Sequence, residues 1–284
     1  MTDRRLLLVH AHPDDESIST ATTMARYAAE GAGVTLVTCT AGEEGEILTP
    51  EIAHLSADQE DGLGPHRVDE LAAAMQILGV TDHRFLGGTF RFRDSGMQWS
   101  ETGHAEPRDV TRPDTFWHAD LVDASNELVS VIREVRPQVL VTYDEFGSYG
   151  HPDHVQAHRV ATYAAALAAV PTYRRDLGEH WDIAKIYWTA ASRKHMIEAG
   201  WDPDRIPGFA VEESDLAAAI DGTEWIDQKL DAMRAHASQI AADGPFFANG
   251  GRRWTHEFFR LAKGDAAPAA GEMWETDLFA GLGI

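Results

Sequence analysis

Cysteine is nearly absent. Cys39 is the single one in 284 residues, so no disulfide can form within the chain, and a reducing cytoplasm is the expected setting. Positive charge is scarce too: 24 Lys and Arg stand against 46 Asp and Glu, and the formal net charge of -22 argues against a nucleic-acid or membrane partner. No segment approaches the roughly 20 apolar residues of a membrane span. The apolar run Leu6 to Val9, behind Arg4 and Arg5, is far shorter than the roughly 7–15 residues of a signal-peptide core. No G-x-G-x-x-G follows that run, which argues against a nicotinamide enzyme.

What the sequence does have is a 44% hydrophobic share, enough for a sizeable core. The expected fold is α/β, a Rossmann-like, mostly parallel sheet flanked by helices. Residues 1–175 are expected to form its core, and residues 176–284 a C-terminal α/β extension that shares its sheet or cleft. Leu6–Val9 reads as a buried strand, Ser19–Glu30 as a helix ending at Gly31, and Val34–Cys39 as a second strand, together a βαβ unit. Apolar spacing predicts further helices over His66–Leu78, Leu121–Val135 and Pro152–Ala169, with strands at His83–Leu86 and Val139–Tyr143. Trp99–Asp114 has no periodicity and reads as a surface excursion or flap. Beyond Thr172 the pattern thins to strands at Ile183–Thr189 and Ala217–Ile220 and helices at Ala190–Ala199 and Trp225–Ser238, with His236 read as a packed or surface histidine.

Two strand ends carry the chemistry. The first opens into His12-Pro13-Asp14-Asp15-Glu16, where a tight turn can bring an imidazole and the carboxylate of Asp15 to one point, as a divalent metal needs. Asp14, between them, points elsewhere and is free for a different task. The second opens into Gly147-Ser148-Tyr149-Gly150-His151-Pro152-Asp153-His154, with Pro152 at the first position of a helix. Glycines at 147 and 150 suggest a backbone that comes close to a ligand. One His-Pro-Asp is a weak signal; two copies, each directly after a buried strand, point to a shared metal site. The acidic loop Gly42–Glu46 and the run Arg91–Met97 should lie on the same rim.

With Ala-His-Pro-Asp-Asp-Glu at 11–16 and His-Pro-Asp-His at 151–154, the chain resembles the LmbE and PIG-L family of metal-dependent N-deacetylases. Gly42–Glu46, Arg93–Met97 and Trp274–Leu278 narrow the likeness to the branch that deacetylates N-acetylglucosaminyl-inositol in mycothiol biosynthesis. The resemblance implies His12, Asp15 and His154 as ligands of one divalent metal, with Asp14 as general base. It implies His151, protonated, as proton donor or electrostatic partner, and Tyr149 as a hydrogen-bond donor to the reacting carbonyl. Glu46, Arg67 and Asp94 would surround the hydroxyls of a small amino-sugar inositol substrate. The metal is expected to be Zn2+, although Fe2+ suits the same two imidazoles and carboxylate. A sister branch of amidases cleaves mycothiol S-conjugates; a lysine commonly follows the acidic motif there, and Ser17–Thr20 has none. A catalytically silent sugar-binding or metal-sensing module is the reading from another class, and the presence of Asp14 argues against it.

Overall fold

A computed structural model describes residues 3–109, 112–251 and 253–284, with residue 249 described by its backbone alone. Leu6, Leu7, Leu8 and Val9 are all fully buried, and their alternation sets the layers. Leu6 and Leu8 enter one core with Met24, Leu71 and Met75; Leu7 and Val9 enter a second with Leu128, Ile132 and Ala161. A strand covered on both faces reads as an unbroken apolar run, as this one does.

That strand, β1 (Arg5–His10), is followed by α1 (Asp15–Ser19), α2 (Ala21–Ala29), β2 (Gly33–Thr38), α3 (Leu63–Leu78) and β3 (Asp82–Phe85). A short hairpin, β4 (Gln98–Trp99) with β5 (Ala105–Glu106), precedes α4 (Leu121–Val135), β6 (Val139–Thr142) and α5 (Pro152–Ala168). Then come β7 (Lys185–Ser192), α6 (Arg193–Ala199), β8 (Ala210–Val211), β9 (Ala218–Asp221), α7 (Ile226–Ala235) and β10 (His256–Lys263).

The main sheet runs β3-β2-β1-β6-β7-β10-β9, with β8 beside β7. The pairs from β3 through β7 are parallel, and β10 is antiparallel to both of its neighbours. The architecture is therefore the expected α/β one, a mostly parallel sheet flanked by helices. Strand order reverses between β1 and β6, which pair in the register Leu6↔Val139 to Leu8↔Val141. Loops leaving these two strands diverge, and a crevice opens at their carboxyl ends. On one face α4 and α5 pack together; Ala157, Ala161, Ala164 and Ala168 of α5 are small enough for the helices to approach closely. Asp120 caps α4, accepting from the Val122 and Asp123 N–H groups at 2.9 and 3.0 Å.

Residues after 176 are stitched to the preceding part by buried charge. Glu257 of β10 accepts from the N–H groups of Thr22 and Thr23, at 3.1 and 2.8 Å, satisfying donors at the start of α2. The same carboxylate pairs with Lys229 of α7 at 2.8 Å. Near the C-terminus, Glu275 is buried between Lys185 and Tyr187, each at 2.5 Å.

Three features differ from the sequence expectation. The first helix breaks at Thr20, where the backbone leaves helical geometry, giving α1 and α2 in place of one helix from Ser19. The excursion from Trp99 contains the β4–β5 hairpin, held by Ala105 N–H donating to the Tyr149 carbonyl at 2.9 Å; residues 110 and 111 of that stretch lie outside the described residues. Strand β10 has no counterpart among the expected elements, because its buried Glu257 interrupts the apolar pattern that marks a covered strand.

Glu257→Ala leaves Lys229 buried without its partner and uncaps α2. Unfolding free energy is expected to fall by about 3–5 kcal/mol, the usual cost of breaking a buried pair from one side, in a urea titration.

Candidate active site

The crevice between β1 and β6 holds both histidine motifs. The Ala11 N–H donates to the Tyr143 hydroxyl at 2.8 Å, joining the two strand ends directly. Asp15 begins α1, and its carboxylate lies between two imidazoles: Oδ2 is 3.3 Å from Nδ1 of His12, and Oδ1 is 3.3 Å from Nε2 of His154. His154 stands in the first turn of α5, its ring stacked on Tyr143 with centroids 4.2 Å apart. Both nitrogens of this buried ring lack a hydrogen-bond partner among the described residues. Leaving such a group unsatisfied costs about 1–3 kcal/mol, so an orphaned imidazole facing a carboxylate fits a cation that supplies the missing bond. Donor atoms of His12, His151 and His154 also lie within 4.8 Å of one another, as do those of His12, Asp94 and Asp153.

Asp153, to which the sequence reading gives no role, belongs to this site. It is fully buried, accepts from the Ser95 N–H and hydroxyl at 2.9 and 2.5 Å, and lies 3.3 Å from Nε2 of His12. A carboxylate behind a histidine in this way fixes the ring's tautomer and orientation. Its signal was the third residue of His-Pro-Asp-His, masked by the more familiar donors on either side.

Asp14 takes φ +127° and ψ -32°, a conformation that costs a non-glycine residue about 1–3 kcal/mol. The turn aims its carboxylate into the crevice, away from Asp15's partners. Burial raises its pKa to about 6, against the pull of Arg67, whose guanidinium lies 3.1 Å away. Arg67, on α3, also donates to the carbonyls of Gly42, at 2.8 Å, and Pro13. It is therefore spent largely on the protein's own turn, although it lines the pocket.

His151 precedes α5, and its Nδ1 accepts from the Asp153 N–H at 3.1 Å. A nitrogen that accepts carries no proton, so the ring is neutral with hydrogen on Nε2, unlike the charged form expected from sequence. Burial and the neighbouring His12 and His154 push its pKa down in the same direction. The Tyr149 ring meets His154 edge-on at 5.0 Å and lies 6.1 Å from Trp99, which is 58% exposed at the pocket mouth.

The acidic loop divides its labour. Glu43 accepts from the Asp94 N–H, and Glu44 is engaged by Arg93 and Arg108, whereas Glu46 is exposed, lines the pocket and makes no hydrogen bond or ion pair among the described residues. Asp94 is buried, accepts from the N–H groups of Gly96 and Glu44, and comes within 3.5 Å of His12. Glycines 147 and 150 serve the protein's own packing: a Cβ on the first would sit 2.7 Å from the Val155 nitrogen, and on the second 2.5 Å from the Ala105 carbonyl oxygen. The whole forms a pocket of about 530 Å³, to which Phe209, Gln239 and Phe246 of the later segment also contribute.

Buried imidazoles sharing a carboxylate, with a second carboxylate alongside and an open pocket in front, at the switch point of an α/β sheet, are the equipment of a metal-dependent hydrolase. The chain belongs to the PIG-L family: residues 7–165 match the family model described as GlcNAc-PI de-N-acetylase. It is 62% identical, over 99% of both chains, to a 1D-myo-inositol 2-acetamido-2-deoxy-alpha-D-glucopyranoside deacetylase from Nocardioides sp.. In fold it is similar to the N,N'-diacetylchitobiose deacetylase from Pyrococcus horikoshii, with a TM-score of 0.61, 18% identity and coverage of 91% and 83% of the two chains. It is equally similar to GalB, the 4-carboxy-2-hydroxymuconate hydratase of Pseudomonas putida, with a TM-score of 0.62, 19% identity and coverage of 93% and 98%. The architecture thus carries more than one reaction, and the side chains of the crevice must decide between them.

Backbone strain at Asp14 gives a direct test of the turn. Asp14→Gly and Asp14→Ala both remove the carboxylate, yet only glycine is at ease with φ +127°. The glycine variant should be the more stable by about 1–3 kcal/mol in urea unfolding, the reverse of the usual order within a folded element.

Proposed function

We propose that this chain hydrolyses the acetamide of N-acetylglucosaminyl-inositol, releasing acetate and glucosaminyl-inositol, as the deacetylation step of mycothiol biosynthesis in the cytoplasm. One observation carries the reading: the Nocardioides relative named for this deacetylation shares 62% of its residues with the chain from end to end.

In this reading His12, Asp15 and His154 hold one divalent cation, Zn2+ in our assignment, with Fe2+ compatible with the same donors. When bound, such an ion polarises a carbonyl and lowers the pKa of water from 15.7 toward about 7. Asp14 takes a proton from the attacking water as the water oxygen adds to the acetyl carbon. The same carboxyl then delivers that proton to the sugar nitrogen as the C–N bond breaks, so one group serves as base and then as acid. Tyr149 donates its phenolic hydrogen to the developing oxyanion. His151 contributes its Nε2–H as a neutral donor on the same side. Arg67 orients Asp14 and keeps it from being neutralised too readily, and Asp153 steadies His12 from behind.

Glu46, Asp94 and Arg67 face or border the space where sugar and inositol hydroxyls would bind. Trp99 offers an apolar ring face on which a sugar can stack. Residues 176–284 act as an extension that closes the cleft, through Phe209, Gln239 and Phe246.

Acetate release from N-acetylglucosaminyl-inositol tests the assignment; clear preference for a mycothiol S-conjugate would overturn it. Asp14→Asn should lower kcat by about 10²–10⁴-fold, the usual effect of losing a general acid–base group. Dialysis against a chelator should abolish turnover, and added Zn2+ should restore it. Trp99→Ala should raise KM roughly three- to tenfold with kcat little changed, corresponding to the loss of about 0.5–1.5 kcal/mol of ring contact.

A further inference from the structure

Glu16 closes the acidic motif, yet unlike His12, Asp14 and Asp15 it does not line the reaction pocket. It is completely buried, and so is His236, which follows α7 more than two hundred residues later. Nε2 of His236 lies 2.8 Å from Oε1 of Glu16. The same oxygen accepts from the Ser17 hydroxyl at 2.6 Å, while Oε2 accepts from the backbone N–H of Asp14 at 2.9 Å. An ionised carboxylate only accepts, so His236 must present its proton on Nε2. The His236 backbone is itself fixed: its carbonyl accepts from the N–H groups of Gln239 and Ile240 at 3.0 and 2.9 Å.

The peptide that Glu16 grips is the one held in the strained conformation described above. The Asp14 carbonyl accepts from Ser17 and Ile18, each at 3.0 Å, and on the other side the Pro13–Asp14 peptide is held by Glu16 at its N–H and by Arg67 at its carbonyl. Without that acceptor, the half-buried N–H would lose its partner and the peptide could relax toward an ordinary turn. Such a relaxation would swing the Asp14 carboxylate away from its place in the pocket.

We propose that His236 and Glu16 form a positioning pair: His236, supplied by the segment after residue 176, locks the Glu16 carboxylate, which holds the Asp14 peptide and so aims the Asp14 side chain at the reacting atoms. Neither residue touches substrate. The proposal rests on the reading of Asp14 as the base, and the test separates the two.

Kinetics of acetate release are to be measured on full-length His236→Leu, His236→Gln and Asp14→Asn, with metal content and melting temperature determined for each. Glutamine keeps a donor at the place of Nε2, and leucine keeps the bulk without the donor. His236→Leu should lose about 10²-fold in kcat, the scale expected when a reacting group is misplaced by an ångström, with KM and metal stoichiometry unchanged. His236→Gln should recover at least tenfold of that loss. If His236→Leu lowers the melting temperature while kcat stays within twofold of the unaltered protein, the pair is only a packing element and the proposal fails. It fails as well if glutamine rescues nothing, or if kcat falls only in proportion to lost metal. Should His236→Leu not fold, Ser17→Ala and Glu16→Gln take its place; normal kcat in Glu16→Gln overturns the proposal. Full activity in Asp14→Asn would instead sink the reading of Asp14, whatever His236 does.

Discussion

The parallel pairing of β1 with β6 is the constraint from which the site follows. Three register pairs, Leu6↔Val139 to Leu8↔Val141, place residues about 130 positions apart at the same height in the sheet. Both strands end at that height, and each spends its next few residues on a turn into a helix. Closing the loop between them costs entropy that the two buried cores must repay. Once paired, however, His12 and Asp15 on one turn and His154 on the other have little freedom left. The Tyr143 hydroxyl bond to the Ala11 N–H, and the stacking of that ring on His154, make the junction rigid where chemistry needs it.

Much of this was legible in the sequence because it depends on local pattern. Buried strands covered on both faces are unbroken apolar runs, and amphipathic helices repeat at three and four, so β1, β2, α3, α4, β6 and α5 could be read to within a few residues. The two His-Pro-Asp motifs could be matched because each lies in the loop that leaves such a strand. What stayed hidden depends on partners distant in the chain. Glu257 reads as a surface glutamate until Lys229 and the start of α2 are seen around it, and that concealed β10. The sequence leaves His236 as a packed or surface histidine; it is buried, and the sequence could not name Glu16 as its partner. Asp153 was masked by its histidine neighbours, and the neutral state of His151 is set by a backbone N–H that no spacing reveals. The charge of Arg67 was visible, but its direction was not, since Gly42 and Pro13 draw it in through their carbonyls.

Charge is arranged unevenly between surface and interior. Most of the net charge of -22 lies on the exterior, while buried carboxylates, several of them gathered around the crevice, are held against hydrogen-bond donors. Glu16, Glu70 and Glu257 each bind a residue or peptide of a distant segment, so acidic side chains act here as cross-links between early and late parts of the chain. These bonds give direction that apolar packing alone would not, because a carboxylate without its donors is far costlier to bury than a leucine that has slipped by half a turn.

The position of β10 has a consequence for how the molecule is made. Among the described residues, strand β9 joins the sheet through β10 alone, and Glu257 of β10 is what caps α2. A polypeptide leaving the ribosome can assemble its five parallel strands early, yet must keep the outer edge of β7 unpaired until residues 256–263 have emerged. A late step therefore inserts a strand between two that precede it in sequence, and the start of the helix behind the catalytic turn receives its Glu257 cap at that moment. Before it, a ribosome-bound chain carries a bare sheet edge that a chaperone or a second nascent chain could occupy.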